Sequence, residues 1–194
     1  MKKLLFAITA IAFFTVSAQA QTSFGLKAGM TSANLKISGN GLSISMKSKI
    51  GFYAGAFADL GVSDQFSVQP ELTYSLLGAK LDSDGDKFKE DLGYINLPVL
   101  LKYNKEGFSA FLGPQIGYLL SAKSKSGSNS EDDKDSWKST DFSGVIGAGY
   151  TLTNGFGFDA RYQLGLSNIA KESDGEGTVK NNAFMIGIHY RFSH

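Results

Sequence analysis

In Phe184-Met185-Ile186-Gly187-Ile188-His189-Tyr190-Arg191-Phe192 every second residue is large and apolar. Successive side chains of a strand point to opposite faces, so a period of two reads as a β-strand. One face carries Phe184, Ile186, Ile188, Tyr190 and Phe192; the other carries Met185, Gly187, His189 and Arg191. The histidine and arginine require water or polar partners on that second face. A uniformly greasy face opposite it is what the closing strand of a membrane β-barrel needs.

Seven further segments show the same alternation: residues 23–35, 50–61, 65–81, 92–104, 108–122, 141–153 and 155–168. In 155–168, Phe156, Phe158, Ala160, Tyr162, Leu164 and Leu166 oppose Gly157, Asp159, Arg161, Gln163 and Gly165. In 65–81, Phe66, Val68, Leu72, Tyr74 and Leu76 oppose Ser67, Gln69, Glu71, Thr73 and Ser75. Segment 50–61 has apolar residues on both faces, so its orientation stays open. No stretch sustains a helical period.

The connections alternate in length. Residues 62–65, 104–107 and 153–155 are tight and carry the Gly, Asn and Asp of hairpin turns. Residues 36–49, 82–91, 123–140 and 170–182 are long and polar. Short turns at one end and long loops at the other are the plan of an eight-stranded antiparallel up-and-down transmembrane barrel, with the turns periplasmic and the loops extracellular. Hydrocarbon cannot satisfy an open sheet edge, so the first strand is expected to pair with the last.

Export is legible at the other terminus. Lys2 and Lys3 precede an apolar run from Leu4 to Val16, and Ala18 and Ala20 make an A-x-A-like site. Residues 1–20 therefore read as a cleaved signal peptide and 21–194 as one barrel domain; the run is shorter than the roughly 20 residues of a spanning helix. Without Lys2 and Lys3, 17 basic residues face 18 acidic ones. That near-balance argues against nucleic acid as a partner. There is no cysteine, so no disulfide staples an exported chain. Glycine contributes 23 residues, about 12% against a usual ~7%, and aromatics are plentiful, which suits short barrel strands.

Pro70, Pro98 and Pro114 fall inside the third, fourth and fifth segments. Proline cannot donate to a ladder, so bulges are expected at these positions. The segments around them carry a family resemblance. Gln69-Pro-Glu-Leu-Thr-Tyr-Ser75, Tyr94-Ile-Asn-Leu-Pro-Val-Leu-Leu-Lys-Tyr103 and Phe111-Leu-Gly-Pro-Gln-Ile-Gly-Tyr-Leu-Leu-Ser-Ala-Lys123 resemble the PorT-like outer-membrane β-barrel family. Asp159-Ala-Arg-Tyr-Gln-Leu-Gly-Leu-Ser-Asn-Ile169 and the Tyr-Arg-Phe ending are similar to it as well, so the likeness covers nearly the whole mature chain. It differs in the two residues, Ser193 and His194, that follow Phe192. The resemblance implies an eight-stranded barrel in a Gram-negative outer membrane and no particular activity.

The expected inward face holds Lys27, Glu71, Lys102, Asp159, Arg161, His189 and Arg191, with Asp59 a further candidate from the ambiguous segment. Eight strands leave an interior just wide enough for side chains to fill. Buried charges must pair or be wetted, so a salt-bridged lumen is expected, with Glu71 and Arg161 meeting from opposite walls. On this reading, alanines in place of that pair raise conductance. Phe66, Tyr74, Tyr103, Tyr118, Phe156, Tyr190 and Phe192 collect towards the ends of strands and read as two aromatic girdles at the membrane interfaces. Trp137 sits in a long loop, either free for contact or folded onto the barrel rim.

Catalytic and metal motifs are weak. Asp82-Ser-Asp-Gly-Asp86 begins like a calcium loop, but Lys87 and Gly93 stand where Gly and Glu are required. The acidic run Glu131–Asp135 reads as solvated loop. Gly155-Phe-Gly-Phe-Asp-Ala160 matches a dinucleotide fingerprint only formally, because it opens an alternating strand. His189 and His194 are the only histidines, both at the turn end, so a triad is hard to build. No enzyme, metal or cofactor is expected.

The expected function is therefore that of an integral outer-membrane barrel with a largely filled lumen, acting structurally or by interaction through its extracellular loops. A narrow porin-like channel for ions or small solutes is the alternative, and a soluble lipocalin-like ligand-binding barrel a third. The expected partners are outer-membrane lipid, lipopolysaccharide and the barrel assembly machinery; any loop partner is left unnamed.

Overall fold

The computed structural model describes residues 22–39, 42–83, 86–126, 129–171 and 177–192. The proposed signal peptide, Asp84 and Gly85 of the calcium-like run, and Ser193 and His194 lie outside them. Strands follow in the order β1 (Thr22–Gly39), β2 (Leu42–Ser45), β3 (Lys47–Gly61), β4 (Phe66–Ser83), β5 (Asp86–Lys105), β6 (Phe108–Ser126), β7 (Asn129–Asp132), β8 (Thr140–Thr151), β9 (Phe156–Gly165) and β10 (Thr178–Phe192). Eight of them form a closed antiparallel barrel; β2 and β7 are short strands that extend hairpins from β1 and β6.

Closure is made by β1 and β10, in register from Phe24 opposite Phe192 to Ser38 opposite Thr178. No barrel strand is left with an open edge, which is the condition for crossing hydrocarbon. The strands are long: β5 has 20 residues. A tilted strand needs only about 9–11 to cross a bilayer, so the ladders continue beyond the membrane at the loop end. The expected loop 82–91 is instead mostly paired strand, with Asp82 opposite Lys87 and Ser83 opposite Asp86. Loops 36–49 and 123–140 likewise contain β2 and β7. Polar sequence there hid the strands because, outside lipid, neither face must be apolar.

The wall is inside-out relative to a soluble barrel. In β9 exposure alternates at every residue. Phe158, Ile186 and Ile188 are each more than half exposed, whereas Arg161 and Glu71 are 5% and 2% exposed. A lipocalin places its apolar face inward, so this pattern removes the soluble-barrel reading.

Segment 50–61 takes one orientation: Tyr53, Phe57 and Asp59 point inward, and Phe52, Ala54 and Ala56 outward. Glycine on the neighbouring strands makes this possible. A Cβ on Gly25 would stand 2.3 Å from the Phe57 ring, and one on Gly29 would stand 2.6 Å from the Tyr53 ring.

The prolines make no bulges. Register between β4 and β5 is the same on both sides of the rungs missing opposite Pro98, from Pro70–Val99 to Thr73–Asn96. It is likewise unchanged between β5 and β6 across the rungs missing opposite Pro114. Each proline deletes a donor, and the neighbouring rungs hold the alignment. The register shifts fall elsewhere, between Ser48 and Tyr53 and between Gly93 and Tyr94.

Candidate functional site

The turn-end half of the lumen is a layer of ion pairs. Asp159 and Arg161 are two residues apart on β9 and so share its inward face. Arg161 Nε donates to Asp159 Oδ1 at 2.8 Å, and Arg161 Nη1 donates across the lumen to Glu71 Oε2 at 2.9 Å. Lys27 Nζ, from β1, donates to Glu71 Oε1 at 2.9 Å and lies 3.9 Å from Asp159 Oδ2. Gln69 Nε2 donates to the same Glu71 oxygen at 2.6 Å. Beside this group, Lys102 Nζ donates to Asp59 Oδ2 at 2.9 Å and to Gln69 Oε1 at 2.8 Å. Three cations thus face three carboxylates, all buried. Charges so far from water persist only because each is both paired and hydrogen-bonded.

Aromatic rings line the layer. The Arg161 guanidinium lies 5.0 Å from the Phe111 ring centroid, and Lys27 Nζ lies 5.7 Å from that of Phe57. Such contacts favour cations over ring faces. His189 joins at the edge, with Nδ1 3.6 Å from Asp159 Oδ2 and Nε2 3.0 Å from Thr151 Oγ1. Arg191 corrects the expectation: it lines the open end of the same cavity but is exposed, and among the described residues it makes no ion pair. The strand has by then reached the turn-end rim, where a cation is solvated. The space left among these groups is about 20 Å³, enough for about one water.

Above this layer the lumen is lined mainly by amides and hydroxyls, with one buried carboxyl, Asp141, whose Oδ1 accepts from Ser167 Oγ at 3.1 Å. Asn96 Nδ2 donates to Ser75 Oγ at 2.7 Å, and Gln115 Nε2 donates to Ser143 Oγ at 3.1 Å. Both amide atoms of Gln163 are buried without a partner among the described residues.

The loop end is closed by apolar side chains that sequence reading did not assign. Leu35, Leu77, Leu92, Leu119 and Ile169 form one buried cluster with Tyr53, Tyr94 and Met185. Met46, Trp137 and Val179 pack against it. Trp137 therefore folds onto the rim. Ile169 comes from the last loop and is fully buried. An ion pair replaced by alanines would still leave this apolar cap in the path.

The seven girdle aromatics all project outward; five are exposed, and Tyr74 and Tyr103 are partly so. Phe66 opposes Tyr103 with ring centroids 5.4 Å apart, and Phe156 opposes Tyr190. Phe192 closes against Phe24 at the same end. Tyr74 and Tyr118 stand at the other end, opposite Ile95 and Thr140 respectively. Among the described residues no group of three or more His, Asp or Glu side chains is placed to hold a metal.

Comparison with known proteins agrees with this geometry. A family model described as outer membrane protein β-barrel domain matches residues 18–171. Among solved structures, the chain is similar to Neisserial surface protein A at 16% identity and a TM-score of 0.57, covering 89% of this chain and 99% of that one. It is similar to Ail, the attachment invasion locus protein of Yersinia pestis, at 20% identity and a TM-score of 0.51, again covering 89% and 99%. These two likenesses concern the fold. No curated protein matches the sequence. The chain belongs to the outer membrane protein β-barrel family, and its place is the outer membrane.

Proposed function

We propose that this outer-membrane barrel is a closed scaffold that works through its extracellular extension rather than through its lumen. One observation carries the reading: two different barriers lie in series along the lumen. The turn-end half is filled by the Lys27–Glu71–Arg161–Asp159 network. The loop end is capped by Leu35, Leu77, Leu92, Leu119, Ile169 and Trp137. A solute would have to break buried ion pairs and then displace a packed apolar cluster.

The strands that rise beyond the membrane, with β2, β7 and the segments around them, supply the surface for contact with other envelope components. Lipopolysaccharide and outer-membrane lipid are the partners that fit the girdled wall, and the aromatic Tyr190-Arg191-Phe192 ending suits the assembly machinery. The segments around Pro70, Pro98 and Pro114 support a PorT-like placement within the family. No catalytic role is proposed.

Liposome swelling with small sugars tests the reading. A closed scaffold gives no swelling above that of protein-free vesicles. Swelling that scales inversely with sugar size would establish the porin-like alternative instead.

A further inference from the structure

The outward mouth is crossed by a short strap. Residues 133–139 leave β7, make a single 3-10 turn at Lys134–Ser136 and enter β8. Backbone bonds tie the strap at both ends. Asp133 N–H donates to Ala122 O at 3.1 Å, and Lys138 N–H donates to Ile169 O at 2.7 Å. Lys171 N–H donates to Ser136 O at 3.0 Å, and Trp137 forms a bridge with Ala170. The strap is thus coupled to the loop that buries Ile169, and it lays Trp137 against the apolar cap.

Glu90 lies under this strap and is buried, with 3% of its surface exposed. It sits on β5 five residues beyond Ile95, past the lipid-facing run of Ile95, Leu97, Val99 and Leu101, and so outside the membrane-spanning segment. The charged groups around it are Asp133 from the strap, Asp91 beside it on β5, and Lys49 from β3. Lys49 is already engaged, by an ion pair to Asp91 and by donation to Leu77 O at 3.3 Å. Trp137 Nε1 lies near the carboxylate without meeting hydrogen-bond geometry, so among the described residues Glu90 Oε1 and Trp137 Nε1 are both buried unpartnered.

We propose that residues 133–139 form a lid on the outward mouth, held shut while Glu90 carries a proton and released when Glu90 ionises against Asp133 and Asp91. Burial first, and the Asp133 and Asp91 carboxylates after it, push the Glu90 carboxyl up to about 7; Trp137 and Lys49 pull it the other way. With the lid open, Glu90 is solvated and titrates near its ordinary 4.5. The closed form then holds more protons between these two values. Closure is accordingly strongest in acid, weakens as pH rises from about 4.5 to about 7, and changes no further above that. This goes beyond the closed-scaffold reading, because it gives the outer barrier a trigger.

The chain has a single tryptophan, so Trp137 reports on the lid directly. The test is acrylamide quenching and emission of the full-length barrel in lipid, from pH 5 to pH 8.5. The expected result is a several-fold rise in quenching with a red shift, and a midpoint near neutrality. Glu90→Gln holds the indole shielded at every pH, and Asp133→Asn moves the midpoint to lower pH and shrinks the rise in quenching, because it removes a carboxylate that strengthens the hold of Glu90 on its proton under the closed lid. Equal shielding at pH 5 and pH 8.5 in the unmodified protein overturns the proposal. So does a Glu90→Gln variant, folded by heat-modifiability, that still titrates; if it does not fold, an Asp133→Asn midpoint identical to that of the unmodified protein does so instead.

Discussion

Arg161 on β9 and Glu71 on β4 meet across the lumen with Nη1 2.9 Å from Oε2, and Lys27 reaches the second oxygen of the same carboxylate at 2.9 Å. Glu71 is therefore the shared anion of two buried cations. Its replacement by Gln leaves Lys27 and Arg161 with Asp159 alone. Removing one partner of a buried pair costs about 3–5 kcal/mol, and that loss is expected in denaturant unfolding from lipid vesicles. Replacing Glu71 and Arg161 together by Leu leaves Lys27 balanced by Asp159. The double variant should be nearer to the parent than Glu71→Gln is.

The two barriers in series predict how conductance responds. Glu71→Ala with Arg161→Ala opens only the turn-end half, and Ile169→Gly opens only the cap. Each is expected to leave planar-bilayer conductance at background. The three substitutions combined should raise it. A current from the ion-pair variant alone would show that the apolar cap does not seal.

Gly29 tests the fit between small and large residues inside the wall. A Cβ there would stand 2.2 Å from Ile186 O and 2.6 Å from the Tyr53 ring. The backbone oxygen cannot swing away as a side chain could. Gly29→Ala should cost about 1–3 kcal/mol by overpacking, read as a lower unfolding midpoint with the slope unchanged.

The lipid face predicts a dependence on depth. Ile188 is half exposed, between the two girdles, and lies opposite Phe158 and Ala28. Ile188→Arg should cost about 2–4 kcal/mol, whereas Leu152→Arg at the turn-end rim should cost about 0–1. Equal losses at the two sites, measured by unfolding in lipid, would contradict the placement of the membrane.

Much of this was readable before any tertiary information. Period-two alternation assigns each side chain to a face without reference to its neighbours, so the inward position of Glu71, Lys102, Asp159 and Arg161 follows from counting. The tight turns at residues 62–65, 104–107 and 153–155 were legible because their residue types are locally required. The loops were less so: β4 and β5 stay paired past the membrane, where lipid no longer forces one face to be apolar. Leu119 and Ala122 both face inward although they are three residues apart, because the shifted rungs Gly93–Ser121 and Tyr94–Leu119 leave Leu120 as an extra residue. Such a bulge moves every later side chain to the other face, and counting alone does not reveal it.

The sequence by itself determined that this chain makes alternating strands, which face of most of them is greasy, and that they close on themselves in a membrane. Tertiary structure decided what meets inside: that Arg161 reaches Glu71 while Arg191 stays at the rim, that Tyr53 and Phe57 turn inward against glycines, and that leucines from four strands and Ile169 cap the loop end. The physical reason is that facing is a property of one strand, fixed by backbone geometry. Contact across a lumen depends on the stagger of all eight strands and on each bulge along them.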